Sequence, residues 1–328
     1  MQLWTIYHPD VPVFLHEAAQ SPAMQRLTEI GMNCGCEYTG FSPFAEADGY
    51  SRFDHSMGAA LIVWHFTHDQ TQAMAALLHD IATPAFAHVI DFLRGDHMKQ
   101  ESTENGTAEM ILASDELRRV CSAHGIDPHD VTDYHRYPIA DNDSPRLSAD
   151  RLEYTLGNAV NWNILTREQA AALYDDLVVA ANESGETELC FRHADAALAF
   201  AEAALRCSEI YVSPADRYAM QRLAELLKRA VEQHVLAEID LYRPEPEIIA
   251  KLLASPMATQ WTDFRRLSRI ISSNVPGKVG VWLQVPAKKR FIDPYIIGHG
   301  RTSALFPAFA QKLADFRAVP QNEWLCAE

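Results

Sequence analysis

The sequence predicts a mainly α-helical protein with a small β appendage near its C-terminal end. Two observations carry this. Apolar residues recur at three- and four-residue spacing from position 22 to position 237, with capping residues or prolines where the runs start and stop. Between positions 277 and 297 the pattern changes to β-rich segments on either side of "PAKK".

In chain order, Met24, Leu27 and Ile30 predict a helix closed by Gly31 at its C′ position. "YSRFDHSMGAALIVWHFTH" predicts a deeply buried helix beginning near Asp54. "DQTQAMAALLHDI" predicts another, capped by Asp69 and stopped or restarted by Pro84. Further helices are expected at 105–114, 115–124, 146–159, 167–182, 193–208 and 214–237. The Pro, Asp, Asn and Ser density of 133–146 marks a loop, and 183–192 reads as a turn and a short strand. A hairpin or small sheet at 277–297 precedes a last helix near 304–317, and no repeat of 20–50 residues is visible.

Composition bounds the function. With 328 residues, 48% apolar and 22% charged, the chain can bury a sizeable core. A net charge of −16 argues against general adhesion to nucleic acid or to an anionic membrane, so an anionic substrate needs a local cationic pocket. No apolar run approaches the roughly 18 residues of a membrane span, and no signal segment opens the sequence; a cytoplasmic location is expected. Cys34 and Cys36 form a C-x-C pair without a second pair, which packing explains better than zinc does.

Four ionisable residues stand out because each sits in an apolar helical segment: His55, the adjacent His79 and Asp80, and Asp150. Bare charge there is costly. Two imidazoles and two carboxylates suit one borderline-to-hard divalent cation (Mn, Fe, Ni, Zn, Co or Mg) with positions left for water. Each residue alone has an ordinary alternative, such as a hydrogen-bonded helix histidine or a capping aspartate. A second His-Asp pair, His68-Asp69, reads simply as a helix start.

The words around the four residues add to this. "SPAMQRLTEIG", "YSRFDHSMG", "ALLHDIATPAFAHVID" and "ADRLEY", in this order, resemble the HD-domain phosphohydrolase superfamily. Within it they are similar to the deoxynucleoside-triphosphate triphosphohydrolase (dGTPase-like) branch, across residues 22–159 and more loosely beyond. The resemblance implies an HD-domain helical core over 1–210, and a helical extension with a small β subdomain over 211–328. It implies that His55, His79, Asp80 and Asp150 ligate one metal. It places Arg52, His88 and Arg151 on substrate phosphate and Tyr154 in the sugar pocket, with Asp91 orienting or handling protons. It also implies a homo-oligomer.

The pattern departs at two catalytic positions: Ala82 and Thr83 replace a Gly-His, and Thr103 stands where an in-line histidine is usual. Glu104, next to it, could point into the same space. Met32, Asn33, Cys34 and Asn158 depart at the sugar end, which puts deoxy selectivity in doubt. The expectation is a phosphohydrolase acting on a nucleotide or similar phosphate ester through a metal-activated water, with Asp91, His88 or Glu104 handling protons. A catalytically weakened nucleotide-binding protein is the alternative. A third reading is a di-iron oxygenase drawing on His88, His97, His124, His129 or His135. "KKR" at 288–290 reads as a solvated hairpin turn or as an anion contact.

Overall fold

The computed structural model describes residues 3–94 and 106–327; Thr103, Glu104 and His97 lie outside the described residues. Sixteen α-helices and six short strands make up the described chain, a mainly α protein with a small β appendage.

Three helices position the site. The first, Arg52–Thr67, starts two residues before Asp54 because Ser51 and Asp54 form a capping box: the Ser51 hydroxyl accepts from Asp54 N, and Asp54 accepts from Ser51 N. Arg52 is therefore helical and shares a face with His55. The helix is buried almost all round from His55 to Val63, as its continuous apolar run requires. The second, Gln70–Leu78, is capped by Asp69, which accepts from Thr71 N and Gln72 N. It ends one residue before His79, so the His-Asp pair sits at a helix exit. The third, Ala149–Asn161, is capped by Ser148 and has Asp150 in its first turn.

The first helix packs against both others, and glycine decides how closely. A Cβ on Gly58 would lie 2.6 Å from Glu153 Cγ, and one on Gly157 would collide with the Tyr50 phenol. These absences let the first and third helices approach closely enough for their side chains to meet.

Other elements fall near their expected places: helices Thr107–Ala113, Asp115–Ala123, Ala194–Tyr211, Pro214–Glu232 and Pro307–Ala318. Three expectations fail. The 167–182 helix stops at Asp175, and Leu177–Ala181 is a strand paired antiparallel with Thr187–Phe191, Leu177 opposite Phe191. The 277–297 hairpin is absent. That segment is irregular, because its backbone finds partners elsewhere: Val285 O accepts from Arg217 and Asp293 N donates to Pro145 O. Only Tyr295–Ile296 joins a sheet, parallel to Phe191 and antiparallel to Arg301. Gly31 is not a helix C′ residue. The helix gives way to a 3-10 turn at Leu27–Glu29, and Gly31 bridges to Ser51 while its N–H donates to Glu245.

A second small sheet pairs Ile270–Ser273 with Trp324–Ala327. One core cluster joins Cys34, Phe86 and Ile90 to Leu223, Leu227 and Trp261, so residues before and after position 210 share a hydrophobic interior. No described helix is long and apolar enough to cross a membrane.

Candidate metal centre

His55, His79 and Asp80 come together so that one donor atom from each lies within 4.8 Å of the others. His55 Nε2 is 3.2 Å from His79 Nε2 and 4.0 Å from Asp80 Oδ2, while His79 Nε2 is 3.7 Å from Asp80 Oδ2. Asp150 closes the group from the third helix, with Oδ1 3.0 Å from His55 Nε2 and 3.5 Å from His79 Nε2. Ligands at about 2.1 Å from a metal stand about 3 Å from their neighbours. His55, His79 and Asp80 are therefore gathered near the spacing of a coordination sphere, and Asp150 stands beside the two histidines.

The other ring nitrogens decide what those Nε2 atoms can do. His79 Nδ1 donates to the Ala76 carbonyl at 2.7 Å, and His55 Nδ1 donates to Glu153 Oε2 at 2.7 Å. In its neutral form each imidazole would spend its single N–H on the protein and leave Nε2 as the donor atom facing the other ring. Two lone pairs and two carboxylates facing one another need positive charge between them. Burial alone would lower the His55 pKa; hydrogen bonds to Asp150 and Glu153 outweigh it and raise it to about 10. The site asks for a cation, and a divalent metal fits the donor set where a proton would only patch it.

Glu153 is the residue that sequence reading missed. Fully buried, it takes the His55 N–H and the Tyr50 hydroxyl on Oε2, and the Tyr7 hydroxyl lies 3.4 Å from Oε1. A carboxylate behind a ligating imidazole fixes its tautomer and strengthens it as a donor. The available signal was its place three residues after Asp150 on one helix face. Asp80 is likewise held, by Arg52 Nη1 at 2.9 Å and Thr83 Oγ1 at 2.8 Å. Burial would raise the Asp80 pKa, but Arg52 and the two histidines hold it well below the usual carboxylate range.

The group opens into a cavity of about 370 Å³. Arg52, His88, Arg151 and Tyr154 all line it. Asp91 does not: it is wholly buried and accepts from His88 Nδ1 at 2.9 Å, which leaves His88 Nε2 with the lone pair. Asp91 holds the His88 ring through this bond. Arg151 lines the cavity, yet its guanidinium is engaged by Asp141, Asn142 and the Arg146 carbonyl. Tyr134 and the 287–291 segment are further walls; the Tyr134 ring lies 4.8 Å from the His79 ring. The "KKR" stretch is therefore no hairpin turn but part of this cavity's wall.

With the geometry in place, known proteins can be compared. No protein-family model matches the chain. The metal-dependent phosphohydrolase cns2 of Cordyceps militaris is 26% identical over 292 residues, 87% of this chain and 81% of that protein. The uncharacterized protein YdhJ of Bacillus subtilis is also 26% identical, over 245 residues, 74% of this chain and 71% of YdhJ. A phosphohydrolase from Bacteroides thetaiotaomicron has the same fold, with a TM-score of 0.63, 14% identity, and 97% of this chain and 96% of that one covered. Two of these three proteins carry the name phosphohydrolase, and none of the three names a nucleotide or a triphosphate.

Proposed function

We propose that this chain is a metal-dependent phosphohydrolase acting on a small phosphate ester, nucleotide-like in character. The carrying observation is the pair of Nε2 atoms 3.2 Å apart, each imidazole held through Nδ1, with Asp80 and Asp150 beside them. His55, His79, Asp80 and Asp150 would hold the ion. When bound, a divalent metal supplies charge to a phosphoryl oxygen and acidifies water for attack on phosphorus.

The chain's own residues supply the rest. Arg52 gives Nη1 to Asp80 and lines the cavity, where its guanidinium can meet a phosphate oxygen. His88 presents Nε2 to the cavity. Burial first, then the charges of Arg290 and Arg52 lower its pKa despite Asp91, so it is neutral near pH 7 and able to accept a proton from water. Burial holds the Tyr154 hydroxyl protonated, its pKa raised to about 12, so it serves as a hydrogen-bond donor.

The far wall supports a polyol or nucleoside portion. Asn158 is buried, pairs its amide nitrogen with the Tyr211 hydroxyl, and has an amide oxygen with no partner. An orphan buried acceptor favours a ligand hydroxyl or amine. Tyr154 and Tyr211, 6.2 Å apart at 76°, add aromatic surface. A cavity of this volume is of the size used for small organic ligands.

The test is elemental analysis of the purified protein followed by a nucleotide and phosphoester panel with added Mn²⁺ or Co²⁺. Phosphate release by the wild type that vanishes in a folded Asp80→Ala variant is the expected result. A ligand-dependent melting shift with no turnover would overturn it in favour of a binding protein. Oxygen consumption with two irons per chain would overturn it in favour of an oxygenase.

A further inference from the structure

The cations around the cavity are sorted by what already holds them. Arg151 has Nε on the Arg146 carbonyl at 2.7 Å, Nη1 on Asp141 at 3.0 Å and Nη2 on Asn142. Lys289 donates to the carbonyls of Phe316, Arg317 and Val319, at the end of the Pro307–Ala318 helix. Lys288 is engaged as well. Arg290 differs: among the described residues, no hydrogen bond or ion pair takes up its guanidinium. It nevertheless lines the cavity, and its charge acts on His88, Tyr154 and Tyr211.

Its placement is built rather than loose. Val285 O accepts from Arg217 at 2.6 Å, Ala287 N donates to Gln321 at 2.6 Å, Lys289 is tied down, and the Phe291 ring lies 5.2 Å from the Arg317 guanidinium. These contacts anchor the segment at positions 285, 287, 289 and 291, while 286, 288 and 290 are exposed. The cavity wall also carries Asp80, Asp141, Asp150 and Asp216 in a chain of net charge −16, so a phosphate needs an uncommitted cation there.

We propose that Arg290 is a second substrate-anion residue of this cavity beside Arg52, taking the part that the family resemblance gives to Arg151. This rests on the phosphohydrolase reading for its substrate class. A guanidinium with its donors unspent can grip phosphate as a fork, whereas Arg151 would first have to break its loop contacts.

The test is calorimetric binding of inorganic phosphate to metal-loaded wild type, Arg290→Gln, Arg290→Lys, Arg151→Gln and Asp80→Asn. Arg290→Gln should weaken binding about tenfold or more without changing metal content or melting temperature. Arg290→Lys should fall between, since ammonium keeps the charge and loses the fork. Arg151→Gln should lower the melting temperature more than it lowers phosphate affinity. Phosphate binding lost in Asp80→Asn but within twofold of wild type in Arg290→Gln overturns this proposal alone. No phosphate binding by metal-loaded wild type overturns this proposal and the phosphohydrolase reading together.

Discussion

Substituting Glu153→Gln isolates the support behind the metal ligands. Glu153 Oε2 takes the His55 N–H at 2.7 Å and the Tyr50 hydroxyl, so two donors converge on one carboxylate oxygen. Glutamine is the same size but has one acceptor oxygen and an NH2 group that cannot face either donor productively. One charge-assisted bond is lost, worth about 1.5–3 kcal/mol. That bond keeps the lone pair on Nε2, so the loss falls on metal binding: Mn²⁺ or Co²⁺ affinity should drop about 10- to 100-fold. The metal-free protein should respond differently. Burial is the largest influence on Glu153 and raises its pKa, so glutamine removes a buried charge that costs stability. Chelator competition gives the affinity, and melting with and without metal gives the two stabilities. The expected signature is a shrunken metal-induced shift on a metal-free baseline that moves little. A variant with wild-type metal affinity, within threefold, would show that Glu153 does not set the His55 tautomer.

Three further outcomes follow from the same structure. Chelation should lower the melting temperature of the wild type, since a metal at a hundred times its Kd contributes about 2.7 kcal/mol; Asp150→Asn should respond far less, and an equal response would remove Asp150 from the ligand set. Gly58→Ala puts a methyl group 2.6 Å from Glu153 Cγ and should cost about 1–3 kcal/mol in urea denaturation while weakening metal binding; a neutral result would mean the two helices can slide apart freely. Glu37 lies beside Glu245 with a buried, unpartnered Oε2, and burial followed by the Glu245 charge raises its pKa above the ordinary 4.5. The folded state then keeps a proton that the unfolded state releases, so stability falls as pH rises from 4.5 through the folded pKa. Glu37→Gln should flatten that fall between pH 5 and pH 8, and an unchanged slope in urea midpoints would refute the assignment.

The helices were legible where capping chemistry is local. Ser51 with Asp54, and Asp69 with Thr71 and Gln72, set helix starts that no distant contact overrides. Elements that depend on distant pairing were not legible. "LVVAA" continues an apolar helical pattern in sequence, and only the antiparallel partner at Thr187–Phe191 turns Leu177–Ala181 into a strand. The 277–297 stretch has the composition of a hairpin, but Arg217, Pro145 and Leu325 claim its backbone groups first.

The same division runs through the site. His55, His79, Asp80 and Asp150 were singled out because polar residues in apolar helices call for a compensating partner; the structure brings the first three together and sets Asp150 beside the two histidines. Glu153 has only its spacing from Asp150 to mark it in sequence; its burial depends on Gly58 in another helix and on Tyr50 across the chain. Arg151 shows why adjacency misleads. Neighbours on a helix point about 100° apart, so when Asp150 faces His55, its successor must face elsewhere. It faces the 141–146 loop and is held there by Asp141, Asn142 and Arg146. The charge that a ligand-adjacent arginine was expected to bring to phosphate has to come from a residue whose direction the ligand does not dictate. Arg290, on a segment more than a hundred residues away that is anchored at Val285, Ala287 and Lys289, lines the same cavity, and those anchors rather than the ligand fix its place.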